Sequence, residues 1–380
     1  MHDAIVDAVH HAVVAAAAAA FVALAVALYL LWRKKRMGAT TGADGLGSSQ
    51  VPLPVLPLAD VERATDGFHS SRVIGQGRHF TVYAATPGLA AKRMRPHLIL
   101  GDPGGRRFPT ALRSLTVPPH PNLAALVGLS EGPGERVLLV ERASAGSVSL
   151  EALLHGASAA CTQKQLPVLT WPLRAAVAAG AARGLAHLHE HGIAHGRVRP
   201  CNVLVDAAAT TSRRRPRQTA RVSDYGLSSF LDHEDDPGLL DVRAESDVYM
   251  FGALLLEMMT GRRWDSGRLA DWALPLIRGG TIEEVLDSRA GAPADKVESR
   301  LLARTARVAL ACVGNDGRSR PGMPEVSAIL NDVEAAYQAR DGAEVAKVRE
   351  KEDGEGRLSG CLLGPGRSVH KKETLLGLPV

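Results

Sequence analysis

The sequence predicts an α+β fold with a β-rich N-terminal lobe and a helical C-terminal lobe, preceded by one transmembrane helix. Three observations support this prediction. An uncharged run of 21 residues lies near the amino terminus, short apolar runs punctuated by glycine follow it, and Ala- and Leu-rich segments come later. Strands gathered first and helices afterwards are typical of an α+β architecture. The chain of 380 residues suffices for one large two-lobed domain with tails.

The uncharged run extends from Ala12 to Trp32. At about 1.5 Å per residue it spans about 31 Å, close to the hydrocarbon thickness of a bilayer. Four basic residues, 33–36, follow at once, and positive charge stays on the cytoplasmic side. A cleaved signal peptide carries its charges before the apolar run. We therefore expect a single-pass membrane protein with a cytosolic C-terminal domain and an extracytosolic segment, 1–11, too short to fold alone.

The remaining chain divides by composition. Residues 33–57 are basic and then rich in Gly, Ser, Thr and Pro, which predicts a flexible juxtamembrane linker. Sequence typical of a compact domain runs from 58 to 340. Residues 341–380 are charged and Gly-rich without apolar periodicity, which predicts a mostly disordered tail.

Charge and cysteine content limit the class of protein. The net charge is +5, the basic residues concentrate in the runs 33–36 and 213–217, and only 4% of residues are aromatic. A nucleic-acid-binding face spreads its charge with aromatics between, so we expect no nucleic-acid partner. The cysteines lack metal-ligand spacing, which favours a reducing compartment. They are Cys161, Cys201, Cys312 and Cys361.

Local patterns predict the elements of the domain in order. Arg72–Arg95 alternates short apolar runs with glycine and predicts strands. Thr170–Glu190 is rich in Ala and Leu and predicts a buried helix. Val203–Val205 and Arg221–Ser223 predict short strands on either side of a loop. Ser246–Gly261 is nearly all apolar and predicts a helix that ends at its glycine.

A glycine-rich turn and a lysine are the first candidate functional residues. Gly75-Gln-Gly77 lies between two predicted strands and is followed by Val82. Such a loop lets backbone N–H groups approach phosphates, but a simple turn between strands has the same composition. Lys92 ends the next apolar run, where a solvated edge charge is the alternative interpretation.

Two later motifs complete a recognisable order. His195–Asn202 follows the long helix, and Asp224-Tyr-Gly226 follows the last short strand. With the glycine-rich turn and Lys92, these motifs resemble the protein-kinase set of Gly-rich loop, strand lysine, catalytic loop and magnesium aspartate. Further segments, in the same order and at nearly the same spacing, resemble plant receptor-like serine/threonine kinases. These segments are His120–Leu123, Gly180–His189, Ser246–Gly252 and Arg320–Val326.

The resemblance covers about residues 58–337 and implies the two-lobed protein-kinase fold, ATP with Mg²⁺ as cofactor, and a location in the plasma membrane. It implies a nucleotide site formed by Gly75, Gly77, Val82, Ala90, Lys92, Glu141 and Ala143. It implies Asn202 and Asp224 as the metal ligands.

The catalytic loop departs from the family pattern His-Arg-Asp-Leu-Lys-Pro-x-Asn. Arg197 stands where the family has the aspartate that accepts the proton of the substrate hydroxyl. Because an arginine stays protonated at any workable pH, Arg197 cannot be a general base. Arg199 stands at the lysine position and keeps a phosphate contact, whereas Gly196 replaces the arginine that meets activation-loop phosphate.

Two N-terminal-lobe positions also depart from the family. Phe80 replaces the third glycine of the loop, which is therefore expected to close less tightly over phosphates. The strand lysine of the family pairs with a glutamate on the next helix. Counting three residues from Phe108 places Ala111 there, so Lys92 is expected to lack this partner.

The segments after the catalytic loop differ in length. Only 20 residues separate Gly226 from Asp247, and the Ala-Pro-Glu motif is absent, so Arg320 is expected to bind another group than its usual glutamate. The acidic run 232–236 either folds back on Arg197 or Arg199 or is a solvated loop. The insertion that carries residues 213–217 either contacts acidic lipid or a partner, or is a solvated loop.

Three functions follow from these departures. The favoured one is a pseudokinase that binds nucleotide weakly and scaffolds or regulates an active kinase, because losing the base costs on the order of 10²–10⁴ in rate. An active serine/threonine kinase with an unusual catalytic loop is the second, since the transition state is loose. A membrane interaction protein that binds no nucleotide is the third.

The expected partners are the membrane and an active receptor-like kinase, which a shared bilayer would concentrate beside the anchored domain. Hydroxyls in the linker and tail are candidate phosphorylation sites, where phosphate would add acidic charge near the arginine-rich segments. They include Thr40, Ser48, Ser359 and Ser368. The oligomeric state is left open.

Overall fold

A computed structural model describes most of residues 53–360 of the chain. The residues outside the description are 1–52, 78, 101–107, 109–111, 113–114, 116, 143–146, 157–167, 207–219, 228–242, 265–267, 315 and 361–380, and the side chains of 97, 100 and 344–360. The predicted transmembrane run, the arginine-rich insertion and the acidic run therefore lie outside the described residues. Within the described part of the chain, no helix combines the length and apolar character needed to cross a membrane.

Five of the described strands lie within residues 73–141, and the longest helices come after them. The strands are β1 (Val73–Gln76), β2 (Phe80–Ala84), β3 (Leu89–Met94), β4 (Leu126–Gly132), β5 (Glu135–Glu141), β6 (Val148–Ser149), β7 (Val203–Val205) and β8 (Ala220–Val222). The helices are α1 (Leu58–Ala64), α2 (Pro96–Leu100), α3 (Leu150–His155), α4 (Trp171–Glu190), α5 (Ala244–Thr260), α6 (Arg268–Gly279), α7 (Lys296–Gly314) and α8 (Met323–Gly360).

An antiparallel five-stranded sheet in the order β1-β2-β3-β5-β4 forms the N-terminal lobe. The register of β3 places Lys92 opposite Val82 on β2 and opposite Leu138 on β5. Ala91 and Leu138 are completely or almost completely buried, so small and branched side chains fill the interior between the sheet and its covering segments. The strands predicted within Arg72–Arg95 are confirmed as β1, β2 and β3.

The helical lobe is built around α4 and α5. Both helices are buried along most of their length, as expected of helices whose apolar residues occur on every face. A Cβ atom at Gly184 of α4 would lie 2.6 Å from the carbonyl oxygen of Asn122, so the glycine permits the close approach of that backbone. Helix α5 ends at Gly261 with φ 68°, a conformation that favours glycine. The predicted helices Thr170–Glu190 and Ser246–Gly261 are thereby confirmed.

A second, three-stranded sheet carries the residues of the site. Its order is β6-β7-β8, with both strand pairs antiparallel. Strand β7 directly follows Asn202, and β8 directly precedes Ser223 and Asp224. Because Val203 pairs with Val222, the end of the catalytic loop lies beside the segment that begins at Ser223.

The compact domain begins at least five residues before the predicted boundary at residue 58. The backbone N–H of Leu56 donates to the Leu129 carbonyl at 2.8 Å, and that of Leu129 donates to the Pro54 carbonyl at 3.0 Å. Residues 53–57 therefore belong to the sheet rather than to the predicted linker. Their proline-rich composition resembles a linker, whereas their pairing depends on a strand more than 70 residues away.

The last helix also differs from the prediction. Helix α8 continues to Gly360, 20 residues into the segment 341–380 that composition predicts to be disordered. Residues 343–352 consist largely of Ala, Glu, Lys, Arg and Val, and most of these have high helix propensity even without an apolar stripe. The prediction of disorder is corrected for residues 341–360, and residues 361–380 lie outside the description.

Candidate active site

The glycine-rich turn joins β1 to β2, as predicted. Gly75 pairs with Val82, and the N–H of Gly77 donates to the carbonyl of Phe80 at 2.8 Å. The Phe80 side chain is only 6% exposed because it packs into an apolar cluster that includes Phe108. The aromatic ring at the third glycine position is thus a core residue, and its effect on loop closure stays a prediction.

Lys92 of β3 forms an ion pair with the carboxylate of Asp224. The two side chains are 11% and 20% exposed. The sequence predicts that Lys92 lacks the usual glutamate because Ala111 stands at that position, and Ala111 lies outside the described residues. The structure supplies a different partner for the lysine, the carboxylate that the family uses for the metal.

Two residues of the predicted nucleotide site, Ala90 and Glu141, lie on β3 and at the end of β5. Ala90 is 3% exposed and pairs with Val140. Glu141, the last residue of β5, donates its N–H to the Ala125 carbonyl at 2.8 Å, and its Oε1 accepts from Nη1 of Arg221 at 2.7 Å. Ala143, another predicted residue of this site, lies outside the described residues.

Asp247 at the start of α5 holds the catalytic loop in place. Its Oδ2 accepts from the N–H of His195 at 2.6 Å and contacts Nε2 of His189 at 2.9 Å. Its Oδ1 accepts from the N–H of Gly196 at 2.7 Å. The carboxylate is buried, and a buried carboxylate needs such donors. The loop conformation is therefore anchored to a largely buried helix of the lobe.

The His195 side chain connects the catalytic loop to the segment after β8. Its Nε2 donates to the Ser223 carbonyl at 3.0 Å, and its Nδ1 accepts from the N–H of Arg197 at 3.1 Å. Complete burial lowers the pKa of His195, which the nearby Asp247 and Asp224 carboxylates only partly oppose. The imidazole is consequently a neutral structural bridge with a proton on Nε2.

Arg197 occupies the centre of the loop, at the position of the family's base. Its carbonyl accepts from Nδ2 of Asn202 at 2.9 Å. The Asn202 carbonyl accepts in turn from the N–H of Ser223 at 2.8 Å. The backbone framework of a catalytic loop is complete, but a guanidinium replaces the carboxylate at its functional position. Arg199 lies two residues further along the same loop and directly precedes the turn Pro200–Asn202.

Asp224 adopts an unusual backbone conformation. Its φ of 62° lies in the left-handed region, which costs a non-glycine residue about 1–3 kcal/mol and is concentrated at functional sites. The next residue, Tyr225, is 5% exposed, and burial raises the pKa of its phenol. Gly226 donates its N–H to the His195 carbonyl at 3.0 Å. These contacts hold the Asp224 carboxylate toward Lys92.

Asn202 and Asp224 are the described residues suited to hold Mg²⁺. Because Nδ2 of Asn202 binds the Arg197 carbonyl, its Oδ1 is left as an acceptor, which the Sγ of Cys201 contacts weakly at 3.6 Å. Mg²⁺ is usually held by one or two carboxylates together with substrate phosphates. One carboxylate and one amide oxygen fit that role. In the described residues no cluster of three His, Cys, Asp or Glu side chains forms a separate metal site.

Arg320 binds a group other than the family's glutamate, as predicted from the missing Ala-Pro-Glu motif. Its Nη1 donates to the Glu245 carbonyl at 3.0 Å, and its guanidinium lies 4.8 Å from the centre of the Tyr249 ring. Tyr249 also contacts Trp264 edge to face, with ring centres 5.9 Å apart. The arginine thus stabilises the start of α5.

Comparison with known proteins identifies this arrangement. The family model described as protein kinase domain matches residues 68–271, which is more than half of the chain. A probable receptor-like protein kinase of Arabidopsis thaliana is 30% identical over 292 residues, which cover 72% of this chain and 79% of that protein. The chain belongs to the receptor-like kinase family of protein kinases.

Two other similar proteins extend this comparison. This receptor-like kinase is 32% identical over 317 residues to the salt tolerance receptor-like cytoplasmic kinase 1 of Oryza sativa subsp. japonica. The aligned residues cover 76% of this chain and 82% of that protein. The solved pseudokinase domain of BIR2, an immune regulator of the RLK/Pelle family, is 28% identical. That comparison has a TM-score of 0.53 and covers 73% of this chain and 86% of that chain.

Two residues of this receptor-like kinase site were not singled out from the sequence. Asp247 belongs to a segment that resembles the kinase family. An acidic residue at the start of an apolar helix could have been used to predict a buried carboxylate that binds a nearby loop. Arg221 has no local signal, because its partner Glu141 lies 80 residues earlier in the chain. Only the tertiary structure, which brings Arg221 of β8 to the end of β5, brings the two charges together.

Proposed function

We propose that this protein is a membrane-anchored pseudokinase that scaffolds or regulates an active kinase and transfers little or no phosphate itself. The position of Arg197 carries the proposal. His195 and Asn202 hold its backbone where an active kinase presents a base. A guanidinium stays protonated and cannot accept a proton from a substrate hydroxyl. Loss of a general base costs on the order of 10²–10⁴ in rate.

Two further observations support a regulatory rather than a catalytic role. Arg320 binds the Glu245 carbonyl and the Tyr249 ring, so it is engaged within the helical lobe at the base of the shortened activation segment. The similar domain of BIR2 is a pseudokinase and an immune regulator. A kinase fold without phosphoryl transfer therefore has a regulatory precedent among similar structures.

Weak binding of ATP with Mg²⁺ is part of the proposal. Lys92 would contact the phosphates, and Asn202 and Asp224 would hold the ion. Mg²⁺ supplies the charge that neutralises the phosphates when it is bound. Since Lys92 and Asp224 already form an ion pair, phosphate and metal must replace that contact. We therefore expect a lower affinity than in an ordinary kinase.

Anchoring in the plasma membrane also belongs to the proposal. The uncharged run 12–32 with basic residues behind it is the supporting observation, together with the receptor-like kinases among the relatives. An anchor would raise the effective concentration of an active receptor-like kinase in the same bilayer. The docking surfaces proposed for it are the helical lobe and the predicted helix near Ala111, a residue that lies outside the description.

Labelled ATP distinguishes the candidate functions. Purified full-length protein, ATP labelled on the γ-phosphate and Mg²⁺ should give measurable binding without transfer to itself or to a generic peptide. The double variant Lys92→Ala, Asp224→Ala sets the background for both readouts. Transfer clearly above that background would overturn the pseudokinase proposal in favour of an active kinase. Absence of any binding would favour an interaction protein that binds no nucleotide.

Proximity labelling tests the proposed partner. The labelling enzyme is fused to the C-terminal end of the full chain, and receptor kinases are expected among the labelled proteins. The same kinases should be recovered with Lys92→Ala, because a scaffold does not need the lysine. Loss of every kinase with Lys92→Ala would instead point to nucleotide binding or catalysis as the basis of the interaction.

A further inference from the structure

Residues Leu53–Leu58, called the strap here, cross the edge of the N-terminal sheet. The N–H of Leu56 donates to the Leu129 carbonyl at 2.8 Å, and the N–H of Leu129 donates to the Pro54 carbonyl at 3.0 Å. Val55 pairs with Leu129 in parallel. The strap therefore supplies backbone partners to β4, the last strand in the order of the five-stranded sheet.

Two glycines of β4 make room for the strap. A Cβ atom at Gly128 would lie 2.8 Å from Cδ1 of Leu56 and 2.9 Å from the Pro54 carbonyl oxygen. A Cβ atom at Gly132 would lie 2.5 Å from Cδ2 of Leu58. Both positions have negative or extended backbone angles, so the glycines are needed for space and not for conformation. The edge of β4 is thus shaped to receive this segment.

The strap contacts two apolar clusters. Leu56 and Leu58 pack with the cluster that contains Val61, Tyr83 and Val137. Leu53 packs against a different cluster, which consists of Phe80, Met94, Leu98, Phe108, Leu112, Leu115, Leu129, Leu138 and Leu227. The second cluster joins Phe80, which follows the glycine-rich turn, to Phe108 and to Leu227 in the segment after β8. Leu53 therefore belongs to the packing that surrounds the candidate active site.

The second cluster leads directly to the charged residues of that site. Leu115 lies so close to Gly226 that a Cβ atom on the glycine would overlap the leucine side chain. Gly226 follows Asp224 by two residues, and Leu227 is itself a member of the cluster. Asp224 forms the ion pair with Lys92. Leu53 thus packs against a cluster that includes Leu115, and Leu115 contacts the segment that carries the Lys92–Asp224 pair.

We propose that the strap couples the chain upstream of residue 53 to the conformation of the Asp224–Leu227 segment. Release of the strap withdraws Leu53 from the cluster, which loosens Leu115 and Leu227 around Gly226. A binding partner or a modification that pulls on the linker therefore acts on the candidate active site from outside the region 68–271 that matches the kinase family model. The coupling does not depend on nucleotide binding, so an experiment can refute it without refuting the proposed function.

Hydrogen exchange in the full-length chain without nucleotide tests the coupling. The reporters are the amides of Ser223, bound to the Asn202 carbonyl, and Gly226, bound to the His195 carbonyl. Leu53→Ala should accelerate exchange at both amides about tenfold, because truncation of this half-buried leucine removes packing that local opening must otherwise break. Val55→Ala, on the same strap but 63% exposed, is the matched control and should leave both rates unchanged.

A second variant displaces the strap without altering it. Gly128→Ala places a methyl group against Leu56 and the Pro54 carbonyl, and it should accelerate the same two amides. The amide of Gly261, bound to the Glu257 carbonyl in the helical lobe, reports general loss of stability and should exchange at the wild-type rate. Unchanged Ser223 and Gly226 rates in both variants, or equal acceleration at Gly261, would overturn the coupling and leave the strap as an edge cover.

Discussion

Lys92 of β3 forms an ion pair with Asp224, which lies 132 residues later in the chain. The pair joins the sheet of the N-terminal lobe to the segment that follows β8. The family assigns the lysine to phosphates and the aspartate to a metal, so two ligand-binding charges neutralise each other here. The pair fixes the Lys92 and Asp224 side chains relative to each other. Because ATP and Mg²⁺ must displace it, it also explains the weak nucleotide binding that we propose.

Asp224→Ala tests the nucleotide site. We expect wild-type protein at about ten times the dissociation constant of ATP with Mg²⁺ to melt roughly 2–4 °C higher, since such binding adds about 1.4 kcal/mol. Asp224→Ala should abolish the rise because the metal loses its only predicted carboxylate. Thermal shift is the measurement, and Asp271→Ala, exposed on α6, is the control. A rise of unchanged size in Asp224→Ala would refute the metal assignment.

Arg197→Asp should not restore ordinary kinase activity. The substitution returns a base, but Lys92 remains paired with Asp224 and the activation segment remains short. We expect peptide phosphorylation by the variant to stay within the background of Arg197→Ala. Robust phosphorylation in an assay with labelled ATP would contradict this expectation. It would show that the missing base alone prevents activity and that the Lys92–Asp224 pair and the short activation segment do not.

Asp287→Ala should strongly destabilise the helical lobe. Burial opposes ionisation, yet donation from Arg289 and Arg174 lowers the pKa of Asp287. The Arg174 side chain is 6% exposed and donates to Asp287 at 2.6 Å, so removal of the carboxylate leaves a buried positive charge. A loss of about 3–5 kcal/mol is expected in urea unfolding.

Glu151→Ala is the matched control for the buried pair. Glu151 contacts Arg263 at 2.7 Å, but the two side chains are 40% and 58% exposed. Exposed pairs contribute at most about 1 kcal/mol. Equal losses of stability in the Asp287 and Glu151 variants would contradict the importance of burial.

The folded protein should lose stability as the pH falls below about 6.5. Burial lowers the pKa of His195, and burial together with His187 lowers the pKa of His120. In the unfolded chain both groups take up protons near pH 6.5, whereas in the folded chain they do so only at lower pH. Stability is therefore complete above the unfolded pKa and declines below it, by up to about 1.4 kcal/mol per pH unit for each group.

Urea unfolding at several pH values measures this loss. His120→Asn keeps an acceptor for the N–H of Asn122, which His120 Nδ1 accepts at 3.2 Å, and should reduce the slope between pH 6.5 and 5. His69→Asn is the control at an exposed turn where the imidazole also accepts a backbone N–H. A steeper slope in His120→Asn than in wild type would contradict the assignment.

Alkaline carbonate extraction tests the anchor. We expect the full chain to stay in the membrane pellet because residues 12–32 form an uncharged run long enough to span the bilayer. Replacement of Ala18 and Leu24 by Arg should shift the protein to the supernatant, since charge at the bilayer centre is costly. Release of the wild-type chain into the supernatant would refute integral insertion.

Local patterns in the sequence predicted strands β1–β3, β7 and β8, helices α4 and α5, and the order of motifs. The helix at Thr170–Glu190 and the strand at 203–205 needed only apolar periodicity and neighbouring turns, and the strand predicted at 221–223 lies one residue earlier, at Ala220–Val222. The replacement of the base by Arg197 was also visible, because it is a change of residue type within a motif. Such features depend on residues close together in the chain, and composition and spacing suffice to predict them.

Tertiary structure alone decided which distant residues meet. The partner of Lys92, the pairing of Arg221 with Glu141, and the docking of the strap on β4 depend on how the strands are ordered. Composition assigned residues 53–57 to a linker because prolines and small residues are typical of one. Their carbonyl and N–H groups gain partners only when Gly128 and Gly132 leave room at the sheet edge. That contact joins residues far apart in the chain, so spacing along the chain cannot predict it.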